Sequence, residues 1–207
     1  MSEITRLEIQ KNNPNRANLY LDEKFFSGVS LELCIKHHLK VGKEIDDAFL
    51  SELILEDERV KAFDKAINYV SSTMKTSKQI RDYLKKKDYN PNTIEYVVDK
   101  MKEYKYLDDE QYARAFVSSC SNKYGKHKLM SALKSKGVAE SIIEKVLEDG
   151  SELKDSIDKV AEKYMKNKDV SPMVLAKLSR FLYSRGFEFD QINSCVNRYK
   201  SGTMFDE

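Results

Sequence analysis

Leu84, Leu133 and Leu182 stand 49 residues apart, twice. The residue four places before each is Ile80, Leu129 or Leu178, and the one three places after is Lys87, Lys136 or Arg185. Then come Asp88, Gly137 and Gly186, followed by Tyr89, Val138 and Phe187. Ile94, Ile143 and Ile192 stand five further on, with Val97, Val146 and Cys195 three later and Val98, Leu147 and Val196 next. Upstream, Phe63, Tyr112 and Ala161 fall at the same offset, as do Ala66, Ala115 and Tyr164, then Ile67, Phe116 and Met165. This run of matches at one spacing, without a gap, marks a tandem repeat. It restricts the fold to a series of similar small units, each of which buries its apolar stripe against neighbours.

The spacing inside the unit is helical. Ile80 and Leu84 are an i, i+4 apolar pair. Gly137 and Gly186 fall just past the end of that helix, where a positive φ is needed, and Val138 or Phe187 is placed to fold back on the last turn. Asp88 takes the glycine's place in the first unit, and Asp tolerates that conformation. Asn90-Pro91 and Ser171-Pro172 read as cap and first helical residue. Asp108 reads as a cap, and Thr76 with Gln79 as a capping box. Each unit therefore holds three helices.

Residues 4–29 differ. Thr5, Leu7 and Ile9 alternate with polar residues, the period of a strand. Residues 11–16, KNNPNR, form a turn cluster, and two short strands follow, Asn18 to Leu21 and Lys24 to Val29. Ser30 caps a helix over Leu31 to Leu39, Gly42 stops it, and a further helix runs from Ala48 to Glu56. The expected fold is mainly α: three tandem three-helix units in an elongated, curved array, preceded by a small antiparallel β-meander. Residues 1–56 hold the meander and its helices, 57–106 the first unit, 107–152 the second and 153–207 the third.

Composition narrows the function classes. No apolar run approaches a membrane span, and the first residues, MSEITR, lack the layout of a signal peptide. Cys34, Cys120 and Cys195 are far apart, which suits reduced thiols in the cytoplasm. Three histidines, two of them adjacent, offer no metal site or triad. There is no phosphate-binding glycine loop, nucleophile elbow or zinc-protease motif, so the chain is read as a non-enzyme without metal or cofactor. The acidic runs Glu56-Asp57-Glu58 and Asp108-Asp109-Glu110 are expected at helix starts, where carboxylates favour the helix dipole.

The basic residues point further. Residues 76–136 carry 14 Lys and Arg against 8 Asp and Glu, a net of +6 in a chain whose overall charge is +2. Lys78, Arg81, Lys85, Lys86 and Lys87 belong to the second helix of the first unit. Lys123, Lys126, Lys128, Lys134 and Lys136 belong to the end of the first helix and the second helix of the second unit, and Lys177, Arg180 and Arg185 to the second helix of the third. A basic stripe of this kind suits a polymeric, acidic partner. Lys87, Lys136 and Arg185 equally suit the negative end of the helix dipole. Of the 12 tyrosines, Tyr112 is expected in the core and Tyr83 between helices.

The segments LKSKGV (133–138) and LYSRGF (182–187), each followed by an isoleucine five residues on, resemble the RecX regulatory proteins, as does LDDEQYARAFV at 107–117. The resemblance covers about residues 57–200, and the N-terminal region is similar to that of the longer members. Asp88 and Gln111 depart from the family's usual Gly and basic residue. The resemblance implies a cytoplasmic, monomeric regulator of recombination, DNA repair and the SOS response. It would bind RecA and the RecA filament on single-stranded DNA, and modulate, usually inhibit, RecA ATPase, strand exchange and coprotease activity. It leaves room for weak direct DNA binding. The rival readings are a free-standing helical nucleic-acid-binding protein and a plain helical scaffold.

Overall fold

The computed structural model describes residues 1–149 and 156–202. The N-terminal sheet comprises β1 (Ser2–Gln10), β2 (Asn13–Leu21), β3 (Lys24–Ser30) and the short β4 (Glu44–Ile45), in the order β3-β2-β1-β4 with antiparallel pairing throughout. The meander is as expected, but its details differ. The turn cluster shrinks to Lys11-Asn12, and Pro14 lies within β2. A register shift between Ile9 and Gln10 of β1 leaves Pro14 out of the ladder, which accommodates a residue with no N–H. A second irregularity between Ile4 and Arg6 breaks the expected alternation. Ile4 is fully buried, while Ile9 is 64% exposed. The sheet's core is Ile4, Ala17, Leu19, Leu21 and Val29.

Ser30 Oγ accepts from Leu33 N at 3.2 Å and starts α1 (Leu31–Lys36), which stops before Leu39. Asp46 accepts from Phe49 N at 2.8 Å and starts α2 (Asp47–Val70), a single helix of 24 residues. The expected boundary at 56/57 thus falls inside a continuous helix. Glu56-Asp57-Glu58 is correspondingly mid-helix, not a helix start. These acids are held by side-chain partners instead. Buried Asp57 accepts from Ser30 N and Arg16, each at 2.9 Å, and pairs with Lys61 at 2.8 Å. Glu56 binds Lys36 and His37, and Glu58 accepts from Asn90 at 2.7 Å. The triplet fastens the sheet, α1 and the segment at Asn90 to α2.

Among the described residues the later part of α2 and eight further helices form the repeats: α2 with α3 (Ser77–Lys85) and α4 (Pro91–Glu103), then α5 (Asp109–Cys120), α6 (Lys126–Ser135) and α7 (Glu140–Glu148), then α8 (Ser156–Met165), α9 (Pro172–Ser184) and α10 (Phe189–Ser201). The expected boundary at 106/107 lies between α4 and α5, and that at 152/153 lies outside the described residues. The chain divides into two compact units, residues 1–73 with 80–106, and residues 74–79 with the chain from Leu107 on.

The second and third helices of each repeat keep the 49-residue register. Ile80, Leu129 and Leu178 are fully buried, as are Leu84, Leu133 and Leu182, and the matched Ile, Val and Cys positions are buried with them. The first helices do not keep it. Ala115 is exposed and Tyr112 only half-buried, whereas Ala62 and Ala66, Ala113 and Val117, and Ala161 and Met165 form the buried stripe. The turns joining first to second helix differ in length, so the gapless register slips there. Tyr83 packs between helices as expected, stacked on Tyr69 with centroids 4.2 Å apart, and its counterpart Phe181 stacks on Tyr164 at 4.6 Å.

Candidate functional site: the basic second helices

Each second helix ends in the same turn. Asp88, Gly137 and Gly186 have φ of 62°, 78° and 87°. The following residue reaches back to the repeat leucine: Tyr89 N to Leu84 O at 3.3 Å, Val138 N to Leu133 O at 3.2 Å and Phe187 N to Leu182 O at 3.3 Å. With the shorter bonds from Asp88, Gly137 and Gly186 to Lys85, Lys134 and Tyr183, this is the Schellman arrangement. It satisfies carbonyls that a helix end otherwise leaves without donors.

In the second unit this turn also receives the start of the preceding second helix. Thr76 Oγ1 donates to Lys136 O at 2.7 Å and accepts from Gln79 N, while Thr76 N donates to the Gln79 side chain, completing the expected capping box. Forty-nine residues on, Gly125 N donates to Arg185 O at 2.9 Å and His127 N to Gly186 O at 3.1 Å. The approach is too close for side chains. A Cβ on Gly137 would overlap Lys78, and one on Gly125 would lie 2.5 Å from Gly186 O. Asp88, by contrast, is exposed, so its side chain has room. Glycine is therefore needed twice over at 137 and 186, for backbone angle and for docking.

The thirteen basic residues divide by surroundings. Arg81 is half-buried and grips Glu95 of α4 through Nε and Nη2, both at 2.8 Å. That pairing draws the Glu95 carboxyl below its ordinary pKa. Lys134 pairs with Glu140, and Lys78 Nζ donates to Ser135 O at 3.3 Å. Half-buried Lys136 lies over the rings of Tyr112 and Phe116, 6.0 and 5.6 Å from the centroids. Its repeat counterpart Arg185 lies over Phe181 at 4.9 Å and Tyr124 at 5.6 Å. Lys128 approaches the same Tyr124 ring at 5.8 Å. Lys87 stands 5.9 Å from the Tyr83 ring. Lys85, Lys86, Lys123, Lys177 and Arg180 are exposed and form no ion pair among the described residues; Lys126 is half-buried.

The structure thus brings Lys78 beside Lys136, and Lys128 beside Arg185, at the two docked turns. It assigns Arg81 and Lys134 to ion pairs within their own repeats. Tyr124, set between two cations from different repeats, carries no mark in the sequence, because Arg185 lies 61 positions away. The exposed lysines of α3 and the cations around Tyr124 can neutralise phosphate or carboxylate groups, and the ring offers a flat face. Among the described residues no cluster of His, Cys, Asp and Glu can hold a metal ion, and no helix is long and apolar enough to cross a membrane.

Asp108-Asp109-Glu110 does lie at a helix start. Asp108 accepts from Glu110 N and Gln111 N, both at 2.9 Å, and Asp109 accepts from Ser77 N at 2.8 Å. Glu110 joins Lys145 and Arg114, tying α5 to α7.

Comparison with known proteins covers all four segments. The model of the regulatory protein RecX N-terminal domain matches residues 2–46, and those of the first, second and third RecX three-helix domains match 62–101, 108–147 and 152–196. The regulatory protein RecX of Clostridium tetani (strain Massachusetts / E88) is 34% identical over 96% of this chain and 94% of its own. That of Clostridium perfringens (strain 13 / Type A) is 37% identical over 96% of each. A crystal structure of regulatory protein RecX superposes with a TM-score of 0.78 at 25% identity, covering 95% of this chain and 99% of its own. RecX from Lactobacillus salivarius shares the fold, with a TM-score of 0.63 at 24% identity over 70% of this chain and 99% of its own.

Proposed function

The chain belongs to the RecX family of regulatory proteins, and from that premise we propose that it binds RecA and the RecA filament on single-stranded DNA. It lowers RecA ATPase, strand exchange and coprotease activity by binding, with no chemistry of its own. The observation that carries this reading is the match of four consecutive family segments in order along the chain. The repeats support a mechanism in which several contacts are made at once. Gly125 and His127 bond directly to the Arg185–Gly186 turn, so the second and third repeats act as one body. Linked contacts raise the effective concentration of each next one, and avidity then exceeds single-contact affinity by ~100-fold or more. Binding one relative orientation of RecA subunits better than others opposes the movements that ATP turnover needs. The cations at Lys85, Lys86, Lys87, Lys123, Lys177 and Arg180 meet acidic surface or phosphate. The protein works as a monomer in the cytoplasm, where its partner is.

The test is RecA ATPase on single-stranded DNA with increasing amounts of this protein. A rate that falls and saturates supports the reading; an unchanged rate at saturation overturns it. The pairing of Lys128 and Arg185 about Tyr124 favours one second reading, a free-standing binder of single strands, in which base stacking and phosphate neutralisation act together. Salt titrations on bare and RecA-coated DNA separate the two. Equal affinity for both would transfer the function to DNA alone.

A further inference from the structure

Helices α1, α2 and α4 of the first unit enclose a cleft of about 350 Å³. Its apolar walls are Leu33, Val60, Phe63, Tyr96 and Tyr104. Phe63 meets Tyr104 edge-on, with ring centroids 6.0 Å apart and planes at 90°, so the wall is built of interlocked rings. Three cations line the cleft. Two are engaged: Lys36 by Glu56 at 2.7 Å, and Lys100 by Glu103 at 2.7 Å. The third, Arg59, lies with its guanidinium 4.3 Å from the Tyr96 ring centroid, and its Nε is buried with no hydrogen-bond acceptor among the described residues. An arginine kept only for packing on a ring can turn its donors to water or to a carbonyl. A donor held out of water without an acceptor is unfavourable, and turning the guanidinium off the Tyr96 ring toward an acceptor supplied in the cleft recovers that loss.

The acceptor's chemistry follows from the rest of the cleft. A guanidinium edge matches a carboxylate or a phosphate, two parallel N–H bonds to two oxygens. Glu32 and Asp64 line the same cleft, and neither forms an ion pair among the described residues. They repel a chain of phosphodiesters, but not a segment with one carboxylate and a cation on its flank. The ring-lined wall takes an aliphatic side chain between the two charges. We propose that this cleft is a docking site for a protein segment carrying a carboxylate, an apolar side chain and a cation in succession, with Arg59 holding the carboxylate. The inference stands on the cleft alone and does not depend on RecA being the partner.

The Arg59 Nε–H signal in a nitrogen–proton NMR spectrum of the full chain reads the site directly. The probes are the peptides acetyl-Glu-Leu-Lys-amide and acetyl-Gln-Leu-Lys-amide, and hexathymidylate. The Glu peptide should shift the Nε–H signal and saturate, the Gln peptide should bind at least ~10-fold more weakly, and hexathymidylate should leave the signal in place. Arg59→Met, which keeps a flexible side chain against Tyr96, should abolish the preference for Glu over Gln as read by the Tyr96 ring signals. Equal binding of the two peptides overturns the proposal, as does no shift up to about 10 mM of the Glu peptide. A shift produced by hexathymidylate at lower concentration would make the cleft a nucleic-acid site instead. If Arg59→Met fails to fold, the wild-type comparison of Glu and Gln peptides still decides.

Discussion

Replacing Gly186 by Ala would set a methyl carbon 2.5 Å from Lys128 N and 2.7 Å from Lys128 Cβ, in a residue whose φ is +87°. Two losses follow. The left-handed conformation costs an L-residue about 1–2 kcal/mol more than glycine. The methyl also forces the start of α6 away from the turn, stretching the bonds from Gly125 N to Arg185 O and from His127 N to Gly186 O, each worth about 0.5–1.5 kcal/mol. The predicted loss is therefore about 2–5 kcal/mol. Asp88→Ala is the matched control: the backbone angle is similar at 62°, but the side chain is already exposed, and the change should stay within about 1 kcal/mol. Urea unfolding followed by helical circular dichroism gives the totals. Labelling of Cys195, buried in the third repeat, gives the stability of that region separately. Should Gly186→Ala lose no more than the about 1–2 kcal/mol that the backbone angle alone costs, the docking role of the turn is refuted.

Gly137→Val should cost at least ~1 kcal/mol, because a β-branched residue at positive φ would also overlap Lys78; an unchanged melting temperature would contradict this. Burial raises the pKa of Asp57, but hydrogen bonds from Arg16 and Lys61 and their charges outweigh it and hold the carboxyl below its ordinary value. A depressed folded pKa contributes stability at neutral pH that disappears as pH falls through it, so Asp57→Asn should cost about 3 kcal/mol at pH 7 and flatten the acid limb below about pH 4. Parallel acid limbs for the two proteins would refute the coupling. Burial first, then Asp158, pushes the Cys195 thiol up to about 11, and burial likewise raises Cys34, so a thiol reagent at pH 8 should label only half-exposed Cys120 in the folded protein. More than one fast-reacting thiol would show that the two cores open. Lys85→Glu with Lys86→Glu should weaken filament binding and lower its salt slope by roughly one for each phosphate no longer neutralised, with helical content retained; an unmoved affinity and slope would leave these lysines as solvated surface.

The elements legible in the sequence are those whose cause lies within a few residues. An apolar pair at i and i+4, a glycine at a helix end and an Asn-Pro or Ser-Pro start impose their conformation locally, so the second and third helices of every repeat could be placed. The first helices could not be aligned by the same register, because their offset depends on turns whose lengths differ while the buried faces must still meet. The meander was legible as a turn-rich, alternating segment, but the bulge that buries Ile4 and exposes Ile9 depends on pairing with β2.

The same division holds for the candidate sites. Charge counting found the basic second helices, yet it could not distinguish Lys85 and Lys86, which face solvent, from Arg81 and Lys134, which are held by Glu95 and Glu140. Nor could it find Tyr124 between Lys128 and Arg185. Glu56, Asp57 and Glu58 looked like a helix start, because a run of acids near an apolar helix is what a start looks like. Their partners, Arg16, Ser30, Lys36, His37 and Asn90, come from the sheet, α1 and the segment before α4, up to 41 positions away. The Arg59 cleft likewise exists only once α4 lies against α2. Propensity, periodicity and backbone angle act between near neighbours and can be read along the chain. Docking, ion pairing and desolvation act between whichever groups the fold brings within a few ångströms, and only the tertiary structure decides which those are.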